Sequence, residues 1–323
     1  MNKLKDLLRP FRDVVFTLYG YMYDCYRYIR FSGYRDYIKD QEKRSYKAVK
    51  IYHRLEKSLS FRERNPNSGI RSANQLESLL TKGAVSGSLG FQEHVGTSVL
   101  EHFYEHASDQ VKAKRITMAD FKDAECVSDL GGVIFKSGEE LAGGKLEDPE
   151  AFFLSRSSVR DFSSQPVDHH QIVRALTLAM KTPSVCNRQG WYVYHVDQRE
   201  LIDSCLSLQN GNRGFGHEIP CLLIIAADLK AFDTAGERYQ YWIDGGMFSM
   251  SIIYALHALG LSTCCLNWSK TPKDDIRLRK LMPIKPNHSV LMMLAVGYPN
   301  EKIKVCYSAR NPLDSIYEYW SEL

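Results

Sequence analysis

Hydrophobic residues recur at helical spacing in the first part of the chain. Over residues 48–59 they fall three or four positions apart, which predicts an amphipathic helix. Residues 62–73 are rich in Asn, Pro, Gly and Ser and predict a loop. Two further helices are predicted over 74–83, ending at Gly83, and over 91–108. The first part of the chain is therefore expected to be helical.

Beyond residue 148 the pattern alternates between helices and strands, and we place a domain boundary there. Residues 168–182 have a helical apolar face with Asp168 as the N-cap. Residues 237–260 predict a long apolar helix that Gly260 ends. Four short β-rich or wholly apolar runs predict strands, at 190–196, 221–227, 261–267 and 289–299. This order indicates an α+β or α/β arrangement around one sheet.

Composition excludes some classes of protein. The chain has 323 residues, which is long enough for two domains, and its 44% hydrophobic and 25% charged content is typical of soluble proteins. A net charge of +4 is too small to indicate a nucleic-acid partner. Its distribution is uneven, since residues 1–55 hold thirteen Lys and Arg against six Asp and Glu.

The lengths of the apolar runs and the positions of the cysteines indicate the cellular compartment. The longest apolar runs, around 221–227 and 290–296, are far too short to span a membrane. The eight cysteines are scattered and show no metal-ligand spacing. These features predict a cytoplasmic protein with no transmembrane segment and no metal.

A cationic segment at 155–162, SRSSVRDF, is the first candidate site. The chain has neither a dinucleotide-binding Gly-x-Gly-x-x-Gly loop nor a nucleoside-triphosphate loop, so side-chain cations must hold any phosphate. Arg156 and Arg160 provide guanidinium groups that bind phosphate oxygens in pairs, beside the hydroxyls of Ser157 and Ser158. Alone, such a segment is more typical of a solvated polar surface.

Two further candidates are weaker when taken alone. Ser184, Asn187 and Gln189 place polar side chains before Trp191, where amides suit the pyrimidine edge of a flat heterocycle. The alternative is a hydrogen-bonded turn leading into a strand. Arg310, near the end of the chain, is by itself most simply a surface charge.

Taken in order, these motifs resemble the nitroreductase family of flavin enzymes. The matching segments are SRSSVRDF (155–162), PSVCNRQGW (183–191), DGGMFSMSIIYALHALGL (244–261), VGYP (296–299) and RNPLD (310–314). The resemblance implies an α+β three-layer fold, with a central, mostly antiparallel sheet flanked by helices, in a domain-entwined homodimer. Residues 149–323 are then the FMN-binding domain, and residues 1–148 a helical N-terminal extension.

The resemblance also implies roles for the cationic residues. Arg156 and Arg310 are expected to bind the FMN phosphate, and Ser157 and Ser158 to contact phosphate or ribityl groups. Arg160 is expected near the N1–O2 edge of the isoalloxazine, where positive charge stabilises the reduced flavin.

The remaining implied contacts lie around the flavin ring. Three polar side chains are expected to reach the flavin of the other subunit: Ser184, Asn187 and Gln189. Three strand residues are expected to pass beside the ring, mainly through their backbone: Cys264, Cys265 and Leu266. Two departures weaken the match, because Gly190 stands where the family often has proline, which predicts a looser turn, and Ser308 stands where a cation is common.

The implied activity is transfer of hydride from NADH or NADPH through FMN to an electron-poor acceptor, a nitroaromatic or a quinone, with ping-pong kinetics. No catalytic side chain is expected, because the flavin supplies the chemistry. The alternative is a degenerate scaffold or partner-binding protein without turnover, which the two departures favour.

Segment 53–64, HRLEKSLSFRER, resembles part of a subgroup of the family with long helical N-terminal extensions. Three roles remain open for a basic, tyrosine-rich extension: an arm around the dimer that also covers the flavin pocket, a surface for a partner protein or acidic substrate, or attachment to anionic lipid.

Overall fold

The computed structural model of the chain describes residues 2–35, 37–87, 89–115 and 130–321, with side chains from residue 10 onward. The helices are α1 Asn2–Phe31, α2 Gln41–Ser60, α3 Ile70–Val85, α4 Phe91–Glu105, α5 Asp109–Lys112, α6 Gly138–Ala142, α7 Pro149–Ser155, α8 His169–Ala179, α9 Arg199–Ser207, α10 Gln240–Ala258 and α11 Pro272–Leu281. The strands are β1 Trp191–Val196, β2 Cys221–Asp228, β3 Ser262–Asn267 and β4 His288–Gly297. None of the described helices is both long enough and apolar enough to cross a bilayer.

Helices α2, α3 and α4 pack around a hydrophobic core of their own. The predicted apolar face of α2 is confirmed, since Ala48, Ile51 and Leu55 are buried in that core. The predicted end of the next helix at Gly83 is wrong, because α3 starts at Ile70 and continues to Val85. Gly83 instead allows close packing, since a Cβ there would lie 2.9 Å from a carboxylate oxygen of Glu93.

The carboxy-terminal half is built on one four-stranded antiparallel sheet in the order β1-β2-β4-β3. Every residue of β2 is buried, because helices cover both faces of the sheet. Alternate residues of β2 serve the two faces: Leu222 and Ile224 pack with α9 and α11, whereas Leu223 and Ile225 pack with α8 and α10. The predicted α+β fold with a flanked antiparallel sheet is confirmed.

The two main helices of this half follow their sequence signals. The Asp168 side chain caps α8 by accepting from the backbone N of His170 at 2.9 Å. Helix α10 ends at Ala258, and Gly260 follows with a φ of +79°, a left-handed conformation that glycine adopts readily.

Helices α1 and α2 lie against the end of the sheet rather than apart from it. The Arg27 guanidinium donates to the backbone carbonyl of His288 at 2.7 Å, and Tyr28 donates to that of Thr234 at 2.6 Å. From α2, the Tyr46 hydroxyl donates to the Asp228 carboxylate at 3.1 Å. The predicted boundary near residue 148 therefore divides two regions that pack on each other, and it stays a prediction.

Candidate functional site

The cationic segment lies alongside the edge strand β3. Ser158 forms a parallel bridge with Thr263, and the backbone N of Val159 donates to the Thr263 carbonyl at 3.0 Å. Val159 and Phe162 are buried in the core beneath the sheet. Because these apolar side chains point inward, the intervening Arg160 points out of the core and is exposed.

The two guanidinium groups of this segment lack acidic partners. Within the described ranges, no ion pair involves Arg156 or Arg160. Arg160 donates to the Cys306 sulfur at 3.5 Å. Burial raises the pKa values of Cys264 and Cys265, and the positive charges of Arg160 and Arg156 respectively oppose that rise. The arginines therefore sit close to β3 with their charge available to an anion.

Strand β3 presents its three predicted residues differently. Cys264 and Leu266 are buried, and Cys265 is exposed, so only Cys265 can offer its side chain to a ligand. Thr263 directs its carbonyl away from β4, towards Val159. Alternate residues of a strand direct their backbone groups to the same side, so the N–H and C=O of Cys265 face the open edge. The same alternation turns the backbone groups of Cys264 and Leu266 towards β4, so the predicted backbone contact stays a prediction and is open only at Cys265.

The segment between α8 and β1 is a tight turn in an uncommon conformation. The backbone φ angles of Cys186, Asn187 and Gln189 are 51°, 56° and 53°. Residues other than glycine adopt this left-handed region uncommonly, usually where the surrounding structure imposes it. The Ser184 hydroxyl accepts from the backbone N of Gln189 at 2.9 Å, and the Gln189 amide donates to Asn187 Oδ1 at 3.3 Å. The three predicted polar residues are therefore brought together.

A buried arginine that the sequence analysis missed holds this turn. Arg188 donates to the backbone carbonyl of Ala231 at 2.5 Å and to both carboxylate oxygens of Glu237, at 2.8 and 3.1 Å. Its guanidinium also lies over the Phe232 ring. The sequence shows that Arg188 lies between two candidate residues, Asn187 and Gln189. Only the structure shows that its side chain points inward and anchors the turn.

Two neighbouring residues complete the anchoring of the turn. The Asp244 carboxylate accepts from the backbone N of Val185 at 3.1 Å. Gly190 is buried, and a Cβ there would lie 2.6 Å from that of Ala231. The sequence predicted a looser turn at this glycine, whereas the structure packs it tightly and leaves no room for a side chain.

Arg310 lies on an exposed tail that starts beside the cationic segment. Its guanidinium donates to the backbone carbonyl of Ser308, and among the described residues it forms no ion pair. Cys306, which touches Arg160, is four residues away, a span of at most about 14 Å. Ser308 has a φ of 52°. The tail therefore begins at the first group of candidate residues, although the structure does not join Arg310 to Arg156.

The candidate residues thus form two groups, one along β3 and one in the turn before β1. Across the described ranges, no hydrogen bond or ion pair connects the two groups. The first group fits a phosphorylated flavin by its chemistry, because it combines unpaired guanidinium groups, the hydroxyls of Ser157 and Ser158, and open backbone groups at Cys265.

Comparison with known proteins identifies the carboxy-terminal half. The sequence model of the nitroreductase family matches residues 154–209 and 201–298. A "Putative NADH dehydrogenase/NAD(P)H nitroreductase" of Archaeoglobus fulgidus is 25% identical over 161 residues, which are 49% of this chain and 88% of that protein. The iodotyrosine deiodinase of Hydra vulgaris is 23% identical over 193 residues, 51% of this chain and 71% of that protein.

Solved structures give a similar alignment. An FMN-dependent nitroreductase of Clostridium difficile R20291 aligns with a TM-score of 0.45 and 20% identity, over 54% of this chain and 99% of that one. Three of the ordered motifs, at 155–162, 183–191 and 244–261, fall inside the matched residues, whereas VGYP ends one residue beyond them and RNPLD lies outside. Residues 154–298 of the chain are therefore similar to the nitroreductase family.

Proposed function

We propose that the chain is an FMN-dependent oxidoreductase that uses NADH or NADPH to reduce an electron-poor acceptor of the nitroaromatic or quinone type. The observation behind this proposal is the pair of guanidinium groups, at Arg156 and Arg160, which lie along β3 and have no acidic partner in the part of the chain that the structure describes. Unpaired arginines beside an open strand edge suit a phosphorylated heterocycle. When bound, FMN supplies hydride acceptance from the nicotinamide and donation to the acceptor.

The residues along β3 hold and orient the cofactor in this proposal. Arg156 binds the phosphate, with Arg310 from the tail, while Ser157 and Ser158 donate to phosphate or ribityl oxygens. Arg160, exposed at the strand edge, stabilises negative charge on the flavin ring. Along β3, Cys265 offers its backbone to one side of the ring, and Cys264 and Leu266 lie on either side of it in the strand. No side chain of the chain acts as a nucleophile.

We further propose that the protein works as a homodimer. The tail from residue 304 to 321 is exposed throughout, although it holds many apolar side chains: Val305, Tyr307, Leu313, Ile316, Tyr317, Tyr319 and Trp320. Helix α10 also exposes Trp242, Ile243 and Met247. A large exposed apolar surface indicates a protein interface. In the dimer, Ser184, Asn187 and Gln189 face the flavin of the partner subunit.

The helical extension, residues 1–148, is proposed to support and cover the flavin pocket. Helix α2 packs against the turn at residues 185–187, and α1 is hydrogen-bonded to both the Thr234 and His288 segments. A helix in contact with a cofactor-binding turn controls access to it.

The test is the spectrum of the purified protein. We expect flavin absorbance, either as isolated or after incubation with FMN, and its loss under anaerobic conditions when NADH or NADPH is added. Protein that binds no flavin would contradict the proposal. Flavin that neither nicotinamide reduces would instead favour a scaffold role or another electron donor.

A further inference from the structure

A large cationic cavity lies between α2 and α3, and none of the candidate flavin residues lines it. Its volume is about 860 Å³, within the usual range of small-molecule sites. Residues spaced three or four apart on each helix form its walls. Six positively charged side chains line it: Lys47, Lys50, Arg54, Arg71, Lys82 and Lys114. No Asp or Glu is among its described lining residues.

Most of this positive charge is not neutralised nearby. Lys47 and Lys50 pair with Asp233, and Lys50 also with Glu237 at 3.0 Å. Arg188 shares the same two carboxylates, so three cations face two anions there. Across the residues that the structure describes, no carboxylate pairs with the remaining four cations, Arg54, Arg71, Lys82 and Lys114. The three cations around Asp233 and Glu237, one of which is Arg188 outside the cavity, leave a net charge of +1. With the four other lining cations, the local net charge is about +5.

The rest of the lining is partly apolar and partly hydrogen-bonding. The apolar contributions come from Tyr37, Ile38, Ile51, Ile70 and Leu79, and the polar ones from Asn74, Gln75 and Ser78. These groups let the cavity contact both the apolar and the hydrogen-bonding parts of a ligand.

We propose that this cavity binds a phosphorylated small molecule that also has an apolar or planar part, such as a nucleoside diphosphate. Lysine and arginine groups converging on one space select phosphate, and the apolar wall accommodates the organic portion. The concave shape and limited volume favour a small molecule over a nucleic-acid duplex, which needs an extended basic surface. This site is separate from the flavin site and adds a second ligand to the protein.

The site is tested by isothermal titration calorimetry on the full chain, once without added FMN and once with a single equivalent of FMN, because excess FMN is itself a phosphorylated planar molecule and would compete for the cavity. The probes are ADP, inorganic pyrophosphate and adenosine. The double variant Arg71→Gln/Lys82→Gln removes two lining charges on α3. The matched control Lys57→Gln/Arg62→Gln removes the same charge from exposed positions outside the cavity.

We expect ADP to bind the wild type and the control equally, and the lining variant at least tenfold more weakly. Pyrophosphate should bind at least fivefold more weakly than ADP, and adenosine not detectably. Equal ADP affinity in the two double variants, or no ADP binding to the wild type, would overturn the site. Equal affinity for ADP and pyrophosphate would overturn the role of the apolar wall. Because the two double variants are compared by ADP binding alone, with and without FMN, these outcomes are independent of whether FMN binds or is reduced.

Discussion

One pair of charged residues in the helical half and one in the sheet half show two different uses of charge. In the helical half, Arg44 and Glu93 form an ion pair whose side chains are 2% and 0% exposed, and the pair fixes three packed helices. In the sheet half, Arg156 and Arg160 lie half-buried or exposed without an acidic partner among the described residues. A buried charge with a partner serves the fold, whereas converging charges without partners indicate a ligand.

The two halves meet at one ionic cluster. Lys47 and Lys50 from α2, together with Arg188 from the turn before β1, surround Asp233 and Glu237. These cations hold the pKa values of both carboxyls below the usual range, to about 2 for Asp233. The cluster joins the cationic cavity to the candidate flavin turn, so the helical half positions part of the site that the sheet half presents.

The largest expected effect is on the buried ion pair. Glu93→Ala leaves the Arg44 guanidinium buried without that carboxylate and removes the cap on the backbone N of Gly90. We expect the free energy of unfolding to fall by about 3–5 kcal/mol, measured by urea denaturation. Glu93→Gln keeps a hydrogen-bond acceptor and should lose less. A Glu93→Gln variant as stable as the wild type would show that the charge of Glu93 is unimportant, and so break the comparison.

The second expected effect is a pH dependence of the free energy of unfolding, and it arises from His288, where α1 and α2 meet the sheet. Burial, with Lys285 and Arg279 nearby, lowers the pKa of His288 to about 4. Between pH 6.5 and 4 the unfolded state therefore binds a proton that the folded state does not, so stability falls as the pH falls. The loss is on the order of 3 kcal/mol.

The variant His288→Asn should flatten this part of the stability profile in denaturation curves recorded from pH 7 to 4. His217→Asn, at a side chain that is 76% exposed, should leave the slope unchanged. A wild-type slope retained in His288→Asn would refute the assignment.

The next effect tests the junction of the halves. Arg188→Gln removes the guanidinium contacts to Glu237 and Ala231, which should cost about 1.5–3 kcal/mol of stability. Because the turn then loses its anchor, FMN affinity should fall as well. Arg188→Lys keeps the charge but not the two-pronged geometry and should be intermediate. If Arg188→Gln folds and binds FMN as tightly as the wild type does, the turn before β1 does not contribute to FMN binding.

The smallest effect concerns the space around Gly190. Gly190→Ala forces a Cβ to 2.6 Å from that of Ala231, which should cost about 1–3 kcal/mol through overpacking. Gly144→Ala, with no atom within 4 Å of the added Cβ, is the control. A thermal denaturation midpoint that is the same in both variants would show that the turn has room to adjust.

The sequence predicted the sheet half better than the helical half for physical reasons. The wholly apolar run of β2 and the cap at Asp168 are local signals, and the structure matches both. The end of α3 was mistaken because Gly83 serves packing against Glu93, a contact that local sequence does not encode. Arg188 was missed for the same reason. The cavity between α2 and α3 depends on two helix faces meeting, which periodicity alone does not specify.

The central claim, that the segment along β3 binds FMN, is tested most directly by titrating the apoprotein with FMN and following flavin fluorescence. Arg156→Ala removes a charge-assisted phosphate contact worth about 1.5–3 kcal/mol, so FMN should bind about ten- to a hundredfold more weakly. Arg277→Ala, at an exposed arginine on α11, should bind as the wild type does. If Arg156→Ala and Arg277→Ala bind FMN with equal affinity, the phosphate site does not lie along β3.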